Sequence, residues 1–170
     1  FYNRKYIAII HGSEINYNSK HLKNSIDYSL KRFSKLIAVS NYTKSLVSLK
    51  FRNKVVVIPN GIAVFNWNLE VHKNLNLRTQ PSLITVGNVT DRKGQLNVIK
   101  MLPKLIEIYP KLHYHCVGIP TKKEDFSRIA KELKVEKCIT FHGQVSDKKL
   151  QEQLQSSDIF VMLSNKTNDG

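Results

Sequence analysis

Leu83-Ile84-Thr85-Val86-Gly87-Asn88-Val89-Thr90-Asp91-Arg92-Lys93-Gly94 is a short apolar, β-prone run that breaks at a glycine and passes through a polar loop into a segment with helical spacing. A strand followed by a helix opening at Lys93 or Gly94 is the first half of a β/α unit. Towards the carboxyl terminus the unit repeats. The helix is expected to run to Tyr109, followed by a strand at Leu112 to Val117 and a helix at Glu124 to Leu133 with Phe126, Ile129, Ala130 and Leu133 as its apolar stripe. A strand at Cys138 to Phe141, a helix at Asp147 to Gln155 behind the N-cap Ser146, and a strand at Ile159 to Leu163 complete the series. Strict alternation of this kind implies a parallel, doubly wound sheet covered by helices. Pro103 lies inside the first helix and predicts a kink, because proline removes a backbone donor and crowds the preceding turn.

Towards the amino terminus the periodicity is weak from Pro81 back to the turn Pro59-Asn60-Gly61. Before that turn alternation resumes. A strand at Tyr6 to Ile10 ends on His11-Gly12, and Leu22, Ile26, Leu30 and Phe33 recur at helical spacing. A strand at Leu36 to Val39 precedes the N-cap Ser40, Tyr42, Leu46 and Leu49 form the inner stripe of a short helix, and a strand follows at Val55 to Ile58. The expected organisation is α/β: residues 1–62 as the end of one Rossmann-like domain, 63–81 as a linker, and 82–170 as most of a second, doubly wound half-domain, truncated at Gly170.

No apolar run approaches the roughly 20 residues of a membrane span. Cys116 and Cys138 are too few for a disulfide framework, and are read as two buried thiols of a cytoplasmic protein. The net charge of +14 is uneven: Phe1 to Asn60 holds 11 Lys/Arg against 2 Asp/Glu. Such a field suits a solvated surface, anionic lipid or a phosphate-bearing substrate. The basic helix from Lys20 to Lys35 offers no stacking platform for nucleic acid, since Phe33 belongs to its apolar stripe, so a nucleic-acid partner is not expected. A peripheral contact with the cytoplasmic face of an anionic membrane fits better.

In an open parallel sheet, ligands bind beyond the carboxyl ends of the strands. There the sequence places Gly87 to Gly94 with Arg92 and Lys93, then Gly118-Ile119-Pro120, then His142-Gly143-Gln144-Val145. Two cations beside a helix N-terminus suit a diphosphate, although a basic capping loop reads the same by spacing alone. Neither a Walker loop nor a Gly-x-Gly-x-x-Gly fingerprint is present. His113 and His115 share a strand face near Cys138, but the set lacks a convincing fourth metal ligand and reads as sheet-face residues; no metal site is expected. There is no Gly-x-Ser-x-Gly elbow, and neither cysteine has a nucleophile's context.

The ordered segments Ile9-Ile10-His11-Gly12-Ser13-Glu14, Ala38-Val39-Ser40 with Thr43, Val57-Ile58-Pro59-Asn60-Gly61-Ile62, Val86-Gly87 with Arg92-Lys93-Gly94, Val117-Gly118, Ile139-Thr140-Phe141-His142-Gly143 with Val145, and Ser157-Asp158-Ile159-Phe160-Val161 with Ser164 resemble the central part of a family 4 (group 1) glycosyltransferase of the GT-B fold. The resemblance implies a retaining, hexosyltransferase-type enzyme that moves a sugar from a nucleotide-sugar donor to a polysaccharide or glycolipid acceptor. It puts the donor on the carboxy-terminal domain and the acceptor on the amino-terminal one. By position, Lys93 and Arg92 would hold the diphosphate within the loop begun by Gly87 and Asn88. Gly118 would let the backbone pass close to the nucleotide, Gly143 to Val145 would lie along the base, and His11 would act near the transferred sugar in the interdomain cleft. The family needs no cofactor, the nucleotide-sugar being a substrate, and usually no metal.

Two departures stand out. Asn88 occupies a position where many members carry Arg. The family's Glu-x7-Glu pair would follow Ser164, and the chain given stops at Asn168-Asp169-Gly170, so this segment is expected to be inactive alone. A GT-B nucleotide-sugar epimerase and a non-catalytic nucleotide-sugar-binding subunit are the alternatives.

Overall fold

The computed structural model describes residues 4–17, 19–62 and 81–165. They fall into two compact units, one on each side of the stretch 63–80. That stretch, expected as the linker, lies outside the described residues.

The first unit comprises β1 (Ile7–Ile10), α1 (Lys20–Leu30), β2 (Lys35–Ala38), α2 (Asn41–Leu46), a 3-10 turn at Leu49–Lys54 and β3 (Val55–Val57). The strands form a parallel sheet in the order β1-β2-β3. Alternation along the strands turns Ile10, Leu36, Ala38 and Val55 into a core closed by Leu30, Val47 and Phe51. Two expected stripes are corrected. Leu30 is buried, but Leu22 is 47% exposed. In α2 the buried residue is Thr43, not Tyr42 or Leu49, which are 64% and 75% exposed. The helix stops at Leu46 because it is capped short: Ser40 accepts the Thr43 N–H, and the chain is extended at Val47, so the helical period never reaches Leu49.

The second unit comprises β4 (Ser82–Val86), a 3-10 turn at Asp91–Lys93, α3 (Gln95–Ile108), β5 (His113–Val117), α4 (Lys123–Glu132), a 3-10 turn at Glu136–Cys138, β6 (Ile139–Gly143), α5 (Asp147–Ser156) and β7 (Ile159–Phe160). All pairings are parallel, in the order β6-β5-β4-β7. From α3, Val98, Ile99 and Leu102, and from α4, Phe126 and Ala130, join Tyr114 and Cys116 in one core. On the opposite face α5 reaches β6 through Gln153 and His142. Helices therefore cover both faces, and the order of strands reverses between β4 and β7. That is the switch point at which an open sheet leaves a crevice beyond its strand ends.

The 3-10 turn at Asp91–Lys93 delays α3 to Gln95, and α3 continues through Pro103 as one helix of 14 residues. Cys138 lies in the turn before β6 and is half-buried, so only Cys116 fits the expectation of a buried thiol. Among the described residues no helix is long and apolar enough to cross a membrane.

Candidate functional site

Three loops of the second unit lie side by side at the carboxyl ends of β4, β5 and β6, joined backbone to backbone. The Gly87 N–H donates to the Val117 carbonyl at 2.7 Å, Val89 N–H to Ile119 at 2.9 Å, Lys122 N–H back to Val89 at 3.0 Å, and Gly118 N–H to Gly143 at 2.9 Å. Gly118 is what permits the approach. Its φ is +139°, and a Cβ there would stand 2.4 Å from the Gly87 oxygen. The close neighbour that Gly118 accommodates is thus the Gly87–Asn88 peptide, which refines the expectation that it makes room for a nucleotide.

The loop from Gly87 to Gly94 is also held at its far end. Gly94 packs on the Leu163 backbone. Asn165 donates its N–H to the Arg92 carbonyl and its Nδ2 to the Asp91 carbonyl, both at 2.8 Å, and accepts from Asn97 Nδ2 at 3.2 Å. Beneath the loop, Gln95 is fully buried and its Nε2 donates to the carbonyls of Gly87, at 3.3 Å, and Asn88, at 3.0 Å. Neither Gln95 nor Asn165 stands out in the sequence. Gln95 reads as an ordinary polar residue at the start of a helix, and the motif ending on Ser164 stops one residue short of Asn165.

The electrostatics of the loop are one-sided. Asp91 is its only acid, and its carboxylate pairs with Lys122. The hydrogen bond and the charge of Asp91 hold the Lys122 ammonium above the ordinary lysine range. With Asp91 so engaged, Arg92 and Lys93 form no ion pair among the described residues. Arg92 is exposed, and the half-buried Lys93 folds its stem across Gly87, where a Cβ would meet Lys93 Cε at 3.3 Å. The first turn of α3 opens beside these two cations, and its outward N–H groups add to the attraction for an anion.

The third loop keeps its space open: nothing lies within 4 Å of a Cβ built on Gly143, and Val145 is half-buried. Behind it runs a ladder of imidazoles. Gln153 Nε2 bonds His142 Nδ1 at 2.8 Å, His142 Nε2 bonds His115 Nδ1 at 2.9 Å, and His113 Nε2 bonds Thr140 Oγ1 at 2.8 Å. With the Gln153 amide donating, His142 carries its proton on Nε2 and passes a hydrogen bond to His115, so the rings are neutral. Burial, then the charges of His113 and His142, push His115 down to about 4. Burial lowers His113 and His142 as well, helped at His142 by His113 and Lys149. The third imidazole of this face is His142 rather than the expected Cys138: β6 pairs Thr140 with His115, and at the register shift after Cys116 His142 falls between the paired residues with its ring bonded to His115. Among the described residues no group of His, Cys, Asp and Glu is arranged to hold a metal ion.

Gly87, Asn88, Arg92, Lys93, Gly118, Gly143 and Val145 are thus brought to one edge of one sheet. His11 lies in the other unit, at the end of β1, where it is exposed. Its N–H and that of Gly12 donate to the Glu14 carboxylate, and its carbonyl accepts from Thr43 Oγ1 at 3.5 Å. Glu14 closes the segment Ile9 to Glu14, and nothing in the sequence alone assigns it a task.

Residues 68–170 match the family model for glycosyl transferases group 1. Among solved structures, a glycosyltransferase from Rickettsia africae is 25% identical, with a TM-score of 0.69 over 95% of this chain and 46% of its own. Anabaena Alr3699/HepE in complex with UDP and glucose is 16% identical, with a TM-score of 0.71 over 95% of this chain and 46% of its own. The pneumococcal O-GlcNAc transferase GtfA in complex with UDP and GlcNAc is 16% identical, with a TM-score of 0.67 over 94% and 33%. The chain spans less than half the length of these structures. No curated protein matches its sequence.

Proposed function

The chain belongs to the group 1 glycosyl transferases and has the α/β fold of GT-B enzymes, and from that premise we propose that its second unit binds the diphosphate of a nucleotide-sugar donor through Arg92 and Lys93. The observation that carries this reading is the pair of cations at the switch point that have no ion-pair partner among the described residues, because Lys122 occupies Asp91. A diphosphate needs several donors at once, and the loop supplies two charged side chains together with the opening turn of α3. The UDP held by the Anabaena and pneumococcal proteins supports a nucleoside diphosphate as the ligand.

The wider proposal is a retaining, hexosyl-transferring enzyme whose acceptor is a polysaccharide or glycolipid, with His11 acting near the transferred sugar. Positive charge develops on the ring during such a transfer, so a negative group or dipole beside the ring stabilises it. The test of the donor site is calorimetric titration of UDP into the full-length protein. Lys93→Ala is expected to weaken binding at least about tenfold, the loss of one charge-assisted contact. Unchanged affinity in that variant overturns the assignment.

A further inference from the structure

The structure assigns to Gln95 the task of holding the Gly87–Asn88 peptides in the shape that presents Arg92 and Lys93; we propose that it is a positioning residue for the donor site. The inference rests on the reading of this loop as the diphosphate site and extends it to a residue that never meets the ligand. Three observations converge. Gln95 follows Gly94, whose φ of +76° turns the chain into α3, so its side chain lies back beneath the loop rather than along the helix. Its amide spans two successive carbonyls, those of Gly87 and Asn88, and so fixes the orientation of both peptide planes at once. The Lys93 stem lies across that same Gly87, so the shape the tether fixes also sets where that stem runs.

A fourth observation is a cost. Gln95 Oε1 is buried without a hydrogen-bond partner. Flipping the amide gives no relief, because it would aim that oxygen at two carbonyl oxygens. A buried orphan acceptor is unfavourable, and an apolar side chain of the same length would avoid it. A glutamine retained here serves the loop rather than the core.

The experiment compares Gln95→Met and Gln95→Glu with the unaltered full-length protein, reading UDP affinity, melting temperature and amide hydrogen exchange at Asn88 to Lys93 without ligand. Gln95→Met keeps the volume and loses the donor. The expected result is a dissociation constant raised about tenfold and faster exchange in the loop, with the melting temperature kept. Gln95→Glu places a carboxylate against two carbonyls, so at pH 8 it should bind as poorly as Gln95→Met. On acidification it should recover relative to the unaltered protein, as the carboxyl gains a proton and can donate again. A merely structural glutamine would lower the melting temperature and show no such recovery.

If both variants bind UDP like the unaltered protein with unchanged loop exchange, the inference is overturned. If the unaltered protein itself fails to bind UDP while Gln95→Met still speeds exchange, the tether stands and the nucleotide reading falls.

Discussion

Strands β1 and β4, like β5 and β6, run into a glycine with positive φ, and the chain treats the turns after β1 and β4 in opposite ways. After β1, at Gly12, the turn is satisfied from within: the Glu14 carboxylate takes the N–H groups of His11 and Gly12. The anion that such a cluster of N–H groups attracts is part of the chain. After β4, at Gly87, the acid of the loop is drawn off by Lys122, and among the described residues the cations before the next helix keep no carboxylate partner. One turn is a closed structural unit; the other is built to be completed by something negative. Strand-end position alone therefore does not make a site, and what distinguishes the two is where the local carboxylate goes.

The sharpest way to break this comparison is to put a side chain on the glycines. Gly118, which stacks the β5 loop on the open turn, would carry a Cβ 2.4 Å from the Gly87 oxygen and 2.5 Å from its carbonyl carbon. A Cβ on Gly12 meets Thr43 Oγ1 at 3.7 Å and Leu46 Cδ1 at 4.0 Å, both ordinary contacts. Both positions have strained φ for an L-residue, so the difference between them isolates the clash. Gly118→Ala is expected to cost about 3 kcal/mol or more and to abolish UDP binding, and Gly12→Ala about half as much without touching UDP binding. Equal losses in denaturant unfolding would mean that the two turns are packed alike.

The sequence carried the fold further than it carried the site. Alternating strands and helices, the switch from weak periodicity near Pro81 and the placing of Arg92 and Lys93 after β4 all follow from local pattern, and the alternation is the order of elements the structure has. Helix faces were less legible where a cap intervened. Tyr42 and Leu49 have the right spacing for a buried stripe, but the Ser40 cap and the extended Val47 bring the short helix to an end first. The groups that shape the site left no local trace, because their partners are distant in the chain or are backbone atoms. Asp91 meets Lys122 across a β5 crossover, Asn165 meets the Asp91 and Arg92 carbonyls, and Gln95 meets two carbonyls behind it. The imidazole ladder was hidden for a related reason: His142 joins it only through the pairing of β5 with β6 and the register shift after Cys116.

That ladder gives the two regions different acid responses. His115 is held at about 4 when folded against 6.5 for a free imidazole, so between those values the unfolded chain binds the additional proton. The second unit should keep its full stability above about pH 6.5 and lose it as pH falls towards 4. Each pKa unit corresponds to about 1.4 kcal/mol, but the ring is only half-buried, so the loss from His115 should be about 1–2 kcal/mol. Charges that face the ladder come from β5, as His113, and from α5, as Lys149; both repel a proton on its members. Amide exchange from pH 7 to pH 4 should show the second unit softening before the first, and His115→Phe should flatten that slope. An unaltered slope in the variant would remove the ladder as its source.

The smallest expected effect concerns the closed turn itself. At Glu14 burial raises the carboxyl's pKa, but the N–H groups of Glu14, His11 and Gly12 outweigh it, and the net shift is below the ordinary value of 4.5. A depressed carboxylate stabilises the fold above its unfolded pKa and loses that contribution as pH falls through its folded value. Glu14→Gln keeps the length and one acceptor oxygen while removing the charge. Because the residue is exposed, the cost at pH 7 should be only about 0.5–1 kcal/mol, read from exchange in the first unit. The two proteins should then converge in stability at low pH, where Glu14 is protonated, and their UDP affinities at pH 7 should agree. A gap that persists in acid would show that the carboxylate's charge is not what closes the turn after β1, and the contrast with the open turn after β4 would lose its electrostatic basis.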